Sequence, residues 1–151
     1  MLGIMYPFYA ALFANLVAQS LKPVFHYIRT RQWKPLLMIE SGGFPSSHTS
    51  TVTALTLAVG IQENFYSTIF AVTLGFSLIV AYDAANVRYY AGQNIKITQQ
   101  LIRDVQLLTQ VQLNDPIYLV KVKEVRGHKW TEVFGGILVG LIMAGIVYIL
   151  K

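Results

Sequence analysis

Residues 41 to 62 read SGGFPSSHTSTVTALTLAVGIQ, and whether this run crosses a membrane decides the fold. Its first part, Ser41-Gly42-Gly43-Phe44-Pro45-Ser46-Ser47-His48-Thr49-Ser50, is polar and glycine-rich. Two glycines allow a tight turn without a Cβ penalty, Pro45 suits a first helical position, and the N–H groups that follow are free to point at an anion. The stretch reads as a phosphate cradle with a histidine inside it. Residues 46 to 62 then form a helix, rich in Ser and Thr before Leu55, Leu57, Val59 and Ile61, and barely long enough to span.

The neighbouring runs and their flanking charges settle that question. Leu2 through Leu21 carries no charge, and at ~1.5 Å per residue it makes a helix about 30 Å long, enough to cross a bilayer. No basic stretch precedes it and no clear small-residue cleavage site follows, so a retained span is expected, with Pro7 tolerated in the first turns. A turn at Glu63-Asn64 leads into a hydrophobic run over 65 to 82, and the last run is Thr131 through Leu150. Residues 22 to 41 hold Lys22, Arg29, Arg31 and Lys34 against Glu40. Residues 88 to 130 hold Arg88, Lys96, Arg103, Lys121, Lys123, Arg126 and Lys129, and only Lys151 lies elsewhere. Excess Lys and Arg mark cytoplasmic loops, and placing both stretches inside requires two crossings between them. The expected fold is therefore a single all-α, multi-pass domain in the cell membrane, with four transmembrane helices and both termini outside.

Composition agrees with this reading. Of 151 residues, 54% are hydrophobic and 13% charged, and a mean hydropathy of +0.49 is far above that of a soluble domain. The net charge of +5 does not point to nucleic acid, because the cations sit between apolar spans instead of alternating with aromatics. Anionic lipids and phosphate substrates are the expected partners. The absence of cysteine excludes disulfides and thiolate metal sites. Between spans three and four, Ile97, Leu101, Val105, Leu108 and Val111 recur every three or four residues. This predicts cytoplasmic amphipathic helices over 94 to 126, broken at Asn114-Asp115-Pro116. In the last span, Gly136-x-x-x-Gly140 and Gly140-x-x-x-Ala144 allow close helix contact, either within the chain or across a homodimer.

The candidate chemistry gathers at the cytoplasmic ends of these spans. His48 opens span two, and Gly127-His128-Lys129-Trp130-Thr131-Glu132 opens span four with His128 and Glu132 at i, i+4. That spacing puts both side chains on one helix face, where the carboxylate fixes the imidazole tautomer and raises the basicity of its other nitrogen. Lys22 ends span one, with Arg29 or Arg31 completing a phosphate clamp. Asp83 and Arg88 end span three, as a polar site or as a structural pair. Two histidines, a carboxylate, a helix N-terminus and several cations suffice for phosphoryl transfer with no metal or other cofactor. His26 reads as interfacial, and a three-histidine metal site would need it brought in from another loop. A Ser46/His48 dyad is disfavoured, because residues two apart on a helix do not face each other.

Three stretches carry a family resemblance: Gly42-Gly43-Phe44-Pro45-Ser46-Ser47-His48, Tyr82-Asp83-Ala84-Ala85-Asn86-Val87-Arg88, and Gly127 through Val133. In them the chain resembles the phosphatidic acid phosphatase type 2 and vanadium-haloperoxidase-related superfamily, in particular its small divergent branch, over nearly its whole length. The resemblance implies that His128 is a nucleophile forming a phosphohistidine, Glu132 its orienting carboxylate, and His48 the general acid that then activates water. It implies that Ser46, Ser47 and the Gly43 region hold phosphate oxygens, that Lys22 is the first-motif lysine, and that Arg29 or Arg31 is its arginine. The chain departs from the family pattern at Thr30 (proline), Ser47 (glycine), Glu132 (aspartate) and Val122 (the third-motif arginine), and Arg88 is the candidate to supply that last charge.

The function so implied is hydrolysis of a lipid phosphomonoester, of phosphatidylglycerophosphate or phosphatidic acid type, with a diphosphate as the lesser choice. The competing reading is a non-catalytic membrane protein that binds anionic headgroups or helps a partner assemble. The absent arginine favours the binder, and the two histidines with a carboxylate favour the enzyme. A haloperoxidase, requiring bound vanadate, ranks third.

Overall fold

The computed structural model describes residues 5–40, 42–109 and 129–150, and among these every regular element is helical. Helix α1 runs Tyr6–Thr30 and is followed by a 3-10 turn at Pro35–Met38. Helix α2 covers Ser47–Glu63 and α3 Thr68–Tyr82; a π-helical turn, Asp83–Val87, joins α3 to α4, Arg88–Thr109. The last helix, α5, is Trp130–Leu150.

The ends follow local chemistry. Helix α2 starts where the Ser46 side chain accepts the Thr49 N–H, so Pro45 stands ahead of the cap and not in the first helical position. It stops at Asn64, whose φ of 81° ends the helical path as the Glu63-Asn64 turn predicts. Ser67 caps α3 in the same way, through the Phe70 N–H.

Two boundaries differ from expectation. The basic loop does not begin at Lys22: α1 continues through Pro23 for two more turns to Thr30. Proline inside a helix forfeits one backbone bond and crowds the preceding turn. Both Lys22 and Pro23 are buried, and packing of that turn holds the helix together. Nor does the third hydrophobic run end at residue 82. Thr68–Thr109 is one unbroken helical path of 42 residues, because nothing in 83 to 93 forces a stop and the π turn absorbs an extra residue. Arg88 Nε and Asp83 Oδ2 pair at 2.6 Å across that turn.

Helix α2 is the centre of the bundle, with α1, α3 and α5 packed around it. The core is built of small residues, with Tyr6, Ala10 and Ala14 of α1 meeting Ala54 and Ala58 of α2 and Ala144 of α5. Polar groups tie the helices pairwise: Tyr6 to the Ala144 carbonyl at 2.9 Å, Ser50 to the Ala14 carbonyl at 3.1 Å, and Ser77 to the Val52 carbonyl at 3.1 Å. Such contacts suit a medium in which hydrophobicity does not drive helices together. The Gly136-x-x-x-Gly140 stripe is taken up inside the chain. A Cβ on Gly136 would collide with the Ser46 carbonyl, and one on Gly140 would lie 2.6 Å from the Ser50 carbonyl. What α5 leaves open is the edge at Gly145, beside which there is free space.

The bundle's outer surface is apolar. Ile69, Val72, Leu78 and Ile79 of α3 and Leu138, Ile142 and Ile149 of α5 are all exposed, a surface larger than water tolerates. The Thr68–Thr109 path and Trp130–Leu150 are each long and apolar enough to cross a bilayer. At about 63 Å, the first is roughly twice the thickness of a hydrocarbon core.

Candidate functional site

A cavity of about 750 Å³ opens between the C-terminal half of α1, the loop that follows it and the start of α5. Cations from both helices line it: Lys22 and Arg29 from α1, and Lys129 immediately before α5. Lys22 is the most deeply placed, 3% exposed, with its ammonium donating to the Glu40 carbonyl at 2.9 Å. The Glu132 and Glu40 carboxylates act electrostatically on that ammonium, which offsets part of the cost of burying it.

The glycine-rich turn forms as its composition predicts. Gly42 and Gly43 both take positive φ, 89° and 85°, where a side chain would be strained. The turn brings the Gly43 backbone beside the Lys22 stem, and both glycines line the cavity. Immediately after it, the Ser46 N–H donates to the Glu132 carbonyl at 2.9 Å, which fastens the start of α2 to the start of α5. Glu132 also lines the cavity, and its Oε2 accepts the Lys129 N–H at 3.2 Å, the carboxylate half of a capping box. Helix α5 thus begins, with its positive dipole end, at a cavity lined by the four cations Lys22, Arg29, Lys34 and Lys129, an arrangement suited to a phosphate dianion.

The sequence profile of the Divergent PAP2 family matches residues 5–143. The chain belongs to that family. It is 32% identical over 143 residues to a protein of Bacillus subtilis (strain 168) named Uncharacterized membrane protein YuiD, covering 91% of this chain and 90% of that one. No solved structure matches the chain. Family, relative and apolar outer surface together make this a membrane protein.

Within this Divergent PAP2 member, the residues expected at the site divide into two groups. Lys22, Arg29, Gly43 and Glu132 come together on the cavity. Ser46, Ser47, His48, Arg31, Asp83 and Arg88 are not among its described lining residues. Ser46 is fully buried, and its hydroxyl is engaged with the Thr49 N–H and, at 3.0 Å, the Thr49 hydroxyl. Ser47 is likewise buried at the first position of α2, with its carbonyl accepting the Thr51 hydroxyl at 2.7 Å. His48 is exposed on the same first turn. Arg31 ends α1 in the left-handed conformation, φ 58°. His128 lies outside the described residues, as do Ser41 and the 110 to 128 segment that holds Val122; in the chain His128 directly precedes Lys129.

The cavity also contains a histidine that the sequence reads as interfacial. His26 lines it, with Nε2 buried and, among the described residues, without a hydrogen-bond partner. Lys22, His26 and Arg29 stand at i, i+4 and i+7, one face of α1. The signal is present in the sequence, but only for a helix read through Pro23.

Proposed function

We propose that this Divergent PAP2 member is a four-span membrane phosphatase that hydrolyses a lipid phosphomonoester, of phosphatidylglycerophosphate or phosphatidic acid type, at the cytoplasmic face. The observation that carries the reading is the convergence of Lys22, Arg29 and Lys129 with Glu132 on one cavity at the start of α5. The same cavity has Phe25, Trp33, Leu36, Leu37 and Phe44 in its wall, which suits a substrate with an apolar body and an anionic head. The end of α1 and the starts of α2 and α5 meet at this one end of the bundle, which supports two crossings between the two basic stretches.

In the proposed reaction, His128 attacks phosphorus in line. A P–N bond forms as the P–O ester bond breaks, and Lys22, Arg29 and the α5 N-terminus neutralise the charge on the equatorial oxygens. His48, two residues after the Ser46–Glu132 junction, gives its proton to the leaving alkoxide. It then takes a proton from water, which attacks phosphorus, breaks the P–N bond and releases inorganic phosphate. Glu132 holds the His128 ring in the required tautomer.

Trapping the intermediate tests this route. After incubation with a lipid carrying labelled phosphate and an alkaline quench, the label remains on the wild type and is absent from His128→Ala. Phosphate release with no trapped label would contradict the phosphohistidine step.

A second reading, headgroup binding without turnover, has specific support. Arg88, the candidate substitute for the family's third-motif arginine, is paired with Asp83, and the Ser46 hydroxyl is engaged by Thr49. Lipid binding with neither label nor release selects that reading.

A further inference from the structure

After Thr30 the chain doubles back along α1. Arg31 turns it, the Trp33 ring meets Tyr27 edge-on at 6.1 Å, the Glu40 carbonyl receives the Lys22 ammonium, and Phe44 meets Phe25 edge-on at 4.7 Å. Lys22 lies about 12 Å inside the Thr30 end of the helix. Residues 31–40 and 42–44 therefore return beside the last turns of α1 instead of leaving for solvent.

This returning loop carries Leu36-Leu37-Met38-Ile39, and its 3-10 turn buries none of its residues. Leu36 is 67% exposed, Ile39 82% and Trp33 59%. A run of exposed apolar residues of this length is unfavourable in water. It adjoins α1 at the exposed Ile28, and it is bracketed by the exposed cations Arg31 and Lys34. Trp33, Leu36 and Leu37 also form part of the cavity wall. One segment thus faces outward as an apolar, cation-flanked surface and inward as the rim of the site.

We infer that residues 33–39 are a lip that inserts into an anionic phospholipid bilayer and forms the doorway through which a lipid passes into the cavity. Trp33, Leu36, Met38 and Ile39 enter the boundary between headgroups and acyl chains, and Arg31 and Lys34 meet the anionic headgroups. The doorway rests on the lipid-phosphate reading above; the insertion does not.

Trp33 reports directly on insertion. In a Trp130→Phe chain it is the remaining tryptophan. Reconstituted into anionic vesicles, its emission is quenched by lipids brominated near the headgroup end of the acyl chain and resists aqueous acrylamide. Quenching by acrylamide alone overturns the proposal, and so does resistance to both quenchers, which would mean a protein covers the lip. For the doorway, Met38→Asp and Ile39→Asp alter residues outside the cavity wall. Each raises KM for a bilayer-presented lipid phosphate by about tenfold, the cost of losing a buried aliphatic contact, and leaves KM for a water-soluble short-chain phosphate ester unchanged. Ile39→Leu restores the wild-type value. Equal losses on both esters overturn the doorway. A wild type that turns over neither ester removes the phosphatase reading and the doorway with it, while the quenching still decides insertion.

Discussion

Lys22 is the residue on which the site turns. A buried ammonium is costly, and removing it alone leaves the Glu40 carbonyl without that donor and the Glu132 and Glu40 carboxylates without that cation, which destabilises. Lys22→Met keeps the stem that packs in α1 and removes the charge. The expected outcome is a lower melting temperature than wild type in detergent, with phosphate release by the folded variant reduced by about 100-fold or more, the usual cost of losing one oxyanion donor. A lysine with only a structural role gives the same lower melting temperature with intact turnover. Lys22→Arg does not rescue, because a guanidinium must be forced into a position only 3% exposed.

At the same scale, the residue types of the site were legible and their directions were not. Lys22, Arg29, Gly43 and Glu132 meet as their spacing and helix ends suggest. Ser46, Ser47 and His48 are consecutive, and on a helix consecutive side chains diverge by about 100°. The first two turn inward and the third outward. Their azimuth is set by small residues farther along, since Ser46, Ser50, Ala54 and Ala58 make the stripe of α2 that faces the bundle. Motif reading looks along the chain, whereas this information lies one helix turn away.

At the scale of elements, the contact between α2 and α5 carries the junction that holds the site's two halves together. Gly136→Ala places a methyl group against the Ser46 carbonyl and the Thr49 side chain. It is expected to destabilise by about 1–3 kcal/mol, as other overpacked contacts do, and to disturb the Ser46–Glu132 bond beside the cavity. Gly145→Ala meets nothing within 4 Å, so it is expected to range from neutral to about 1 kcal/mol stabilising, through helix propensity alone. Thermal unfolding in detergent separates the two. Element existence was largely legible: the helix after Pro45, the turn at Asn64 and the final apolar run all form. Both differences lie in how far a helix runs past the end of an apolar run. Pro23 does not end α1, because the turn around it is buried. The polar sequence after Tyr82 does not end its helix, because a π turn and an Asp83–Arg88 pair carry the path onward.

At the scale of the whole molecule, the account requires Lys34 and Lys96 on one side of the membrane and Glu63 on the other. The chain has no cysteine of its own, so single substitutions report cleanly. With a membrane-impermeant maleimide on intact cells, Glu63→Cys is expected to label at once, and Lys34→Cys and Lys96→Cys only after permeabilisation. Labelling of Lys34→Cys and Lys96→Cys from opposite sides would break the four-span arrangement. This level was the least legible from sequence, because the positive-inside count assigns sides to loops but does not say how far a helix continues past the bilayer. The Thr68–Thr109 path does continue, for roughly 30 Å beyond one hydrocarbon thickness.

The central claim is turnover. The most direct measurement is phosphate release in the absence of divalent metal from a panel of lipid phosphates in detergent, with and without vanadate, for wild type, His128→Ala and His48→Ala. Vanadate-sensitive release by the wild type and its loss in both folded variants are expected, with the favoured lipid naming the headgroup class. A wild type that binds these lipids and releases nothing, with variants that only bind more weakly, would contradict that claim.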